Sequence, residues 1–349
     1  MAAPYSQPVD DRSVWSGAEL EGSRDWVYQL TGPDIAELEQ AIGHAKSSGK
    51  QLAQCTRQDF PLPGLDAVLE RIAREVDDGR GFHLLRGFPA QQLGEGDSAI
   101  AHWGIALRFG GVISQNANGD LLGHVRDFGR KLGEKDVRGY DTNSELRFHN
   151  DECDIIALMC LQPSKEGGLS SIVSSSRVFN ELLARRPEVL LKLFDGYTFS
   201  LMGEHRPGVG PVSDHKIPIF SWHAGRMSCR YTINTVLQAS QYTGVELTDD
   251  ERATLFAPLE AARTPGLALN FALEPGDIQI ANNLATLHQR TRYVDYEQPA
   301  KQRHLLRLWL ASHHPRPLAP EFEERFNDGY SFRRGIPVSG ARAAGREAA

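Results

Sequence analysis

His149-Asn150-Asp151 sets an imidazole and a carboxylate two residues apart, and His288, Arg303 and Arg307 follow far downstream. Two imidazoles and one carboxylate form the donor set that holds ferrous iron on one face and leaves the opposite face free for a co-substrate and oxygen. If the segment Phe148 to Glu152 is extended, side chains at i and i+2 point to the same side, so His149 and Asp151 can share one ion while Asn150 turns away. The tripeptide alone says little, because it occurs about once by chance in a chain of this composition. A surface His beside a solvated Asp is the plainer reading of it, so the weight rests on what accompanies it.

His288 lies in the polar loop Asn282 to His288, after a strand over Asp277 to Ala281. The strand Arg303 to Leu310 follows. Its alternation puts Arg303, Leu305, Arg307 and Trp309 on one face and His304, Leu306, Leu308 and Leu310 on the other. Two guanidiniums on one face of so apolar a strand require partners, either internal carboxylates or an anionic ligand that they grip in bidentate fashion.

The elements around these residues read as mainly β with flanking helices. Helical spacing runs over Pro33 to Lys46, opened by Thr31, over Leu65 to Val76 and over Ser98 to Phe109. Gly81 to Pro89 is a short apolar run bracketed by glycines and reads as a buried strand. From Leu121 to Val173 short strands and loops dominate. Serines 174–176 cap a helix over Arg177 to Leu183, which Pro187 ends or restarts. Tyr197 to Phe220 and Arg226 to Val236 read as strands, Thr248 to Arg263 as a helix, and Leu267 to Leu310 as strands again. Glu274-Pro275-Gly276-Asp277 is a turn between two of these. Strands interrupted by helices, with candidate ligands on strands distant in sequence, suit a double-sheet β-barrel of the jelly-roll or cupin type better than a parallel α/β sheet. Residues 1–25 read as an irregular segment, 26–337 as one domain and 338–349 as a disordered tail.

The chain has 349 residues and a formal net charge of -7. Without clustered basic residues it is a poor nucleic-acid partner, and a small molecule is the expected ligand. No apolar run approaches the roughly 18 residues of a membrane span and no secretory signal is visible, so a cytoplasmic location is expected. Cys55, Cys153, Cys160 and Cys229 form no Cys-x-x-Cys pair and read as reduced, mostly buried thiols. Cys153 stands close to Asp151 in sequence, but packing is its expected role.

Taken together, these residues resemble the taurine dioxygenase-like (TauD/TfdA) branch of the Fe(II)/2-oxoglutarate-dependent dioxygenases. That branch combines His-x-Asp, a long interval, a distal His and an Arg roughly 10 to 15 residues later on a double-stranded β-helix (jelly-roll, clavaminate synthase-like) core. Here His288 follows His149 by 139 residues and Arg303 follows His288 by 15. The resemblance extends from about Gly79 to about Leu310.

It implies Fe(II) held by His149, Asp151 and His288, with 2-oxoglutarate as co-substrate and O2 as oxidant. Arg303 would bind the distal carboxylate of 2-oxoglutarate, assisted by a hydroxyl after Gly167-Gly168; Ser170 matches that position and Ser171 is its rival. Arg307 would bind an acidic group of the substrate or help hold the co-substrate. Asp151 separates the chain from halogenases of this fold, which have a small residue there. Gln115, Asn116, Arg230 and Tyr231 are candidate substrate-side residues, and Glu145 and Arg147 are candidates for orienting the ligands. His205, His215 and His223 have irregular spacing and do not read as a second metal site. The implied activity is hydroxylation, or another oxidation, of an unactivated C–H bond in a small, anionic or amino-acid-like molecule. A metal-binding sensor without turnover and a zinc-dependent hydrolase use similar donors and stand as the alternatives. Homo-oligomers are common in the family, but the sequence picks out no interface.

Overall fold

The computed structural model describes residues 5–131, 139–203, 208–324 and 331–338. Its strands are β1 (Val27–Gln29), β2 (Phe82–Arg86), β3 (Gly110–Ile113), β4 (Leu122–Val125), β5 (Leu146–His149), β6 (Ile155–Gln162), β7 (Glu166–Gly167), β8 (Ser170–Ser174), β9 (Phe220–His223), β10 (Arg226–Cys229), β11 (Leu269–Phe271), β12 (Ile278–Asn282), β13 (Thr286–Arg290), β14 (Tyr293–Val294) and β15 (His304–Ser312). The helices are α1 (Gly17–Glu21), α2 (Gly32–Ser47), α3 (Asp66–Asp78), α4 (Ala90–Ala106), α5 (Ser175–Arg185), α6 (Pro187–Asp195), α7 (Ile233–Thr243), α8 (Asp249–Ala262) and α9 (Pro320–Glu323).

Two sheets organise this mixed α and β architecture. The larger runs β1-β2-β12-β6-β15-β3, with β4 also paired to β15, and the smaller runs β11-β8-β13-β5. Apart from the parallel pair β1 and β2, neighbours are antiparallel. Strand alternation divides the apolar residues into layers. On β6, Ile155, Ala157 and Met159 face a core shared with α2, α3 and α4, while Ile156 and Cys160 face the space between the sheets. β15 does the same: Leu306, Leu308 and Leu310 point to the helices, and Leu305 and Trp309 point inward to meet Ile172 of β8. The outer side of the small sheet is closed by α5, α6 and α8 over Val173 and Leu287. Leu306, Leu308 and Leu310 are fully buried, each contributing about 2 kcal/mol.

The turn before β12 forms as the Glu-Pro-Gly-Asp signal requires. Gly276 has φ +87, and a Cβ there would lie 1.7 Å from the Phe88 carbonyl oxygen, so only glycine fits. Asp277, wholly buried, accepts from the Glu274 N–H and pairs with Arg86 at 2.7 Å. Thr31 caps α2 with Asp34 closing the box, and Pro187 restarts the chain as α6.

Three expectations need correction. The N-terminal segment is not irregular throughout: Ser16 and Glu19 form a capping box on α1, Gly17 and Ala18 donate to the carbonyls of Leu267 and Gly266, and Trp15 is buried. Among the described residues, the stretch from Tyr197 to Phe220 is joined by isolated bridges, Tyr197 to Ile217 and Ser200 to Val212, before β9 begins. Arg226 to Val236 is strand only as far as Cys229; the segment Ile233 to Val236, with the β-branched Ile233, Thr235 and Val236, opens α7, which Gly244 ends in a left-handed cap. Tertiary packing overrides β propensity there, since Ile233 and Val236 join the core beneath α5 and α8. All four cysteines are free, three of them buried. The tail after Val338 and His205 lie outside the described residues. Among the described residues no helix is long and apolar enough to cross a membrane.

Candidate active site

β5 ends at His149 and β13 carries His288 directly opposite, so two residues 139 apart in sequence become a cross-strand pair. Their ring centroids lie 4.4 Å apart. His288 is therefore a strand residue, not part of a polar loop: the turn closes by Ala285 and β13 begins at Thr286. Asp151 lies just beyond the end of β5, its Oδ1 3.9 Å from His149 Nε2. One donor atom from each of His149, Asp151 and His288 falls within 4.8 Å of the others.

Secondary contacts orient His149 and Asp151, whereas His288 Nδ1 is buried without a hydrogen-bond partner among the described residues. His149 Nδ1 donates to the Arg147 carbonyl at 2.7 Å, which leaves Nε2 as the free lone pair. Burial, and next the neighbouring His149 ring, push His288 down to about 3, so its imidazole is neutral. Burial would raise the Asp151 carboxyl, but Arg307, both histidines and the Trp309 hydrogen bond outweigh it and hold the group below its ordinary value. Trp309 Nε1 donates to Asp151 Oδ2 at 3.2 Å, and Arg307 Nη1 lies 3.6 Å from the same oxygen.

Asn150, the middle residue of the motif, points away into protein. Its amide nitrogen donates to the carbonyls of Cys229 (2.9 Å) and Asn283 (2.7 Å), and its oxygen accepts from the Tyr231 N–H at 2.7 Å. Asn283 completes the clamp by accepting the Asp151 N–H. Asn150→Ala removes three buried hydrogen bonds and is expected to cost about 3 kcal/mol of stability, measured as a shift in denaturant midpoint. A variant as stable as the parent would contradict this account of the clamp.

The three donors open onto a cavity of about 650 Å³ that also takes in Ser170, Gln279, Arg290, Arg303 and Arg307. Arg303 stands one residue before β15 and is 5% exposed, with Nη1 buried and lacking a hydrogen-bond partner. Arg290 of β13, on the same strand face as His288, leaves Nε and Nη1 in the same condition, while its Nη2 donates to the carbonyls of Thr142 and Ser144. Both guanidiniums stack on the Tyr293 ring, at 4.6 Å for Arg290 and 5.2 Å for Arg303. Burial lowers the pKa of each, Arg290 to about 10, with Arg303 as the second cause of that shift. Two buried cations with unpaired N–H groups beside a cavity form a receptor for a carboxylate.

Gly167 and Gly168 both have positive φ, and a Cβ on Gly167 would meet the Arg292 carbonyl at 2.2 Å. This turn delivers Ser170 to the inward face of β8, the face of Ile172, whereas the Ser171 hydroxyl donates to Asn270 Oδ1 at 2.6 Å on the other face. Ser170 is thus the hydroxyl on the side of Arg290 and His288.

Four candidate substrate contacts are corrected. Gln115 accepts from Arg307 Nε at 2.7 Å and donates to the carbonyls of Leu121 and Arg307, so it holds Arg307 from behind. Asn116 closes a turn, its oxygen accepting from the N–H groups of Asn118 and Asp120. Arg230 donates to the Phe322 carbonyl and stacks on Phe332, and the Tyr231 hydroxyl donates to the Leu255 carbonyl in the core. None of these four lines the cavity. Glu145 and Arg147 do, but Glu145 pairs outward with Arg263 and Arg147 orients His149 through its carbonyl oxygen. Cys153 is buried, accepting from Asn283 Nδ2 at 3.0 Å.

Sequence reasoning missed Arg290, Gln279 and the wall formed by α7. Had His288 been assigned to a strand, alternation through Thr286, His288 and Arg290 would have put the arginine on the ligand face. Gln279 interrupts the apolar run Ile278 to Ala281 on β12, and its Oε1 is buried without a partner. Along α7, Asn234, Gln238 and Gln241 reach the cavity at helical spacing.

The taurine catabolism dioxygenase TauD, TfdA family matches residues 48–309, a span that contains the whole donor set and Arg303. The chain belongs to this family. As a TauD/TfdA protein it is an Fe(II)- and 2-oxoglutarate-dependent dioxygenase that uses O2. It is similar to the FR-33289 synthase of Streptomyces rubellomurinus, 33% identical over 314 residues that cover 89% of this chain and 92% of the synthase. The taurine hydroxylase-like protein SAT17 of Stachybotrys chartarum is 28% identical over 326 residues, covering 88% and 80% of the two chains. Among solved structures, asparagine oxygenase in complex with Fe(II), (2S,3S)-3-hydroxyasparagine and succinate shares the fold with a TM-score of 0.64. Its identity is 18%, with 82% of this chain and 93% of that one covered. The non-heme iron oxygenase OrfP, in complex with Fe and alpha-ketoglutaric acid, gives a TM-score of 0.59 at 14% identity, with 82% and 94% covered.

Proposed function

We propose that this TauD/TfdA dioxygenase hydroxylates an unactivated C–H bond in a small organic molecule that carries an anionic group. Substrate, O2 and 2-oxoglutarate are converted to hydroxylated product, succinate and carbon dioxide. The two facing sheets form a double-stranded β-helix within a single catalytic domain over 26–337, to which α1 is attached. His149, Asp151 and His288 hold the iron, and the fit is chemical: two neutral or lone-pair-bearing imidazoles and one ionised carboxylate converge at the base of the cavity. Bound there, an iron ion would supply the oxygen activation that is coupled to decarboxylation of 2-oxoglutarate.

The chain's own residues do the rest. Arg303 and Arg290 clamp the distal carboxylate of 2-oxoglutarate between their unpaired N–H groups, with Ser170 as a further hydrogen-bond partner on that face. Gln115 fixes the Arg307 guanidinium, which braces Asp151 and presents positive charge to the anionic group of the substrate. The amides of α7 bound the other side of the cavity. The observation that carries this reading is the pairing, in one cavity, of a His-Asp-His donor set with two buried arginines whose guanidinium N–H groups are left partly unpaired among the described residues.

Anaerobic titration of the apo-protein with Fe(II) and then 2-oxoglutarate tests it. The visible charge-transfer band of the iron and keto acid pair is expected in the parent chain and weakened in Arg303→Ala. Iron binding without a band would turn the reading toward a hydrolase or a sensor.

A further inference from the structure

A second set of metal donors lies on the opposite face of β15. His124 of β4 stands opposite Leu306, and His304 opens β15 two residues earlier, so the two imidazoles occupy diagonal positions on the sheet face that α4 covers. His124 Nδ1 and His304 Nε2 are 2.9 Å apart. Within α4, Gly94 leaves the helical conformation with φ +79, and the next residue, Glu95, brings its carboxylate to the pair: Oε1 lies 3.8 Å from His124 Nδ1 and Oε2 lies 3.8 Å from His304 Nδ1. One donor atom from each of the three residues lies within 4.8 Å of the others.

From this geometry we infer that Glu95, His124 and His304 form a second binding site, for a divalent transition metal of the zinc class. Two imidazoles and a carboxylate match zinc in donor type, and a set of three leaves a position for water. Zinc–nitrogen bonds of about 2.0–2.1 Å in a tetrahedral arrangement separate the nitrogens by about 3.3 Å, so the rings need to open by only about half an ångström. Solvent reaches the site, because Glu95 and His124 are exposed and His304 is half-buried. Arg126 is the opposing charge nearby; its guanidinium stacks on Phe128 at 5.6 Å. An ion here ties together β4, β15 and α4, one residue from Arg303. The site differs from the iron centre in face and in exposure, and its residues play no part in the reaction described above.

The test uses the 349-residue chain without an affinity tag, stripped of metal by a chelator and titrated with Zn2+ alone, with bound metal counted after ultrafiltration. His149→Ala, which disables the iron centre, is expected to retain one tightly bound zinc per chain, and His149→Ala combined with His124→Ala is expected to retain none. Zinc should raise the melting temperature of the first variant and leave that of the second unchanged. Glu95→Gln in the His149→Ala background should weaken the binding at least about tenfold. No zinc on the His149→Ala chain, or one that survives His124→Ala, would overturn the proposal. Because these arms are read with the iron centre disabled, they stand apart from the oxygenase reading.

Discussion

Asp151→Ala is expected to lower 2-oxoglutarate turnover by at least about 10³-fold, since the metal's contribution of several kcal/mol is lost with its one anionic donor. The same change strips Arg307 and Trp309 of a shared partner. Arg307→Ala should behave differently. The metal donors remain, so iron binding persists, while KM for an anionic substrate rises about 10- to 100-fold with the loss of a buried charge contact. Succinate formation and metal content, measured together, separate the two variants. Full turnover in Asp151→Ala would remove the ligand assignment, and an unchanged KM in Arg307→Ala would remove the anionic subsite.

Arg303→Met is expected to act with opposite signs on folding and on binding. Without 2-oxoglutarate, Arg303 and Arg290 lie buried around one tyrosine ring with unpaired N–H groups, an arrangement that costs free energy until an anion arrives. Methionine fills the same space without charge, so the ligand-free variant should gain about 1 kcal/mol and melt a few degrees higher. Affinity for 2-oxoglutarate should fall about 10²- to 10³-fold, as when one partner of a buried charge pair is truncated. Melting curves with and without 2-oxoglutarate read both effects: the parent should be stabilised by the ligand, and the variant should hardly respond. A lower melting temperature together with undiminished binding would make Arg303 a structural residue.

The donor set was legible because its chemistry is local in part: i and i+2 spacing brings His149 and Asp151 together, and the alternation of β15 puts Arg307 inward with Trp309, with Arg303 just before the strand on the same side. The helices with clear caps, α2 and α8, were legible for the same reason, since Thr31 and Thr248 announce their starts. What escaped depended on distant partners. Arg230 and Tyr231 read as polar residues on a strand near the ligands, yet one is held by Phe322 and the other by Leu255, contacts that no local pattern encodes. Gln115 reads as a substrate-side residue but holds Arg307 instead, a partner 192 residues away that no local pattern encodes. The first turn of α7, Ile233 to Val236, fell within the stretch read as strand, so the helical face that walls the cavity was not recognised.

The order of strands in the two sheets has a consequence for how the chain is made. β12 lies between β2 and β6, β15 between β6 and β3, and β13 between β8 and β5, so three strands made late fill the middle of the two main sheets. Until β13 has emerged the His149–His288 pair cannot form, and the arginine pocket waits further for Arg303, while the earlier strands wait with open edges. A growing chain therefore has no complete donor set for iron before His288 has been made and β13 has paired with β5, so metal capture follows the assembly of strands far apart in sequence.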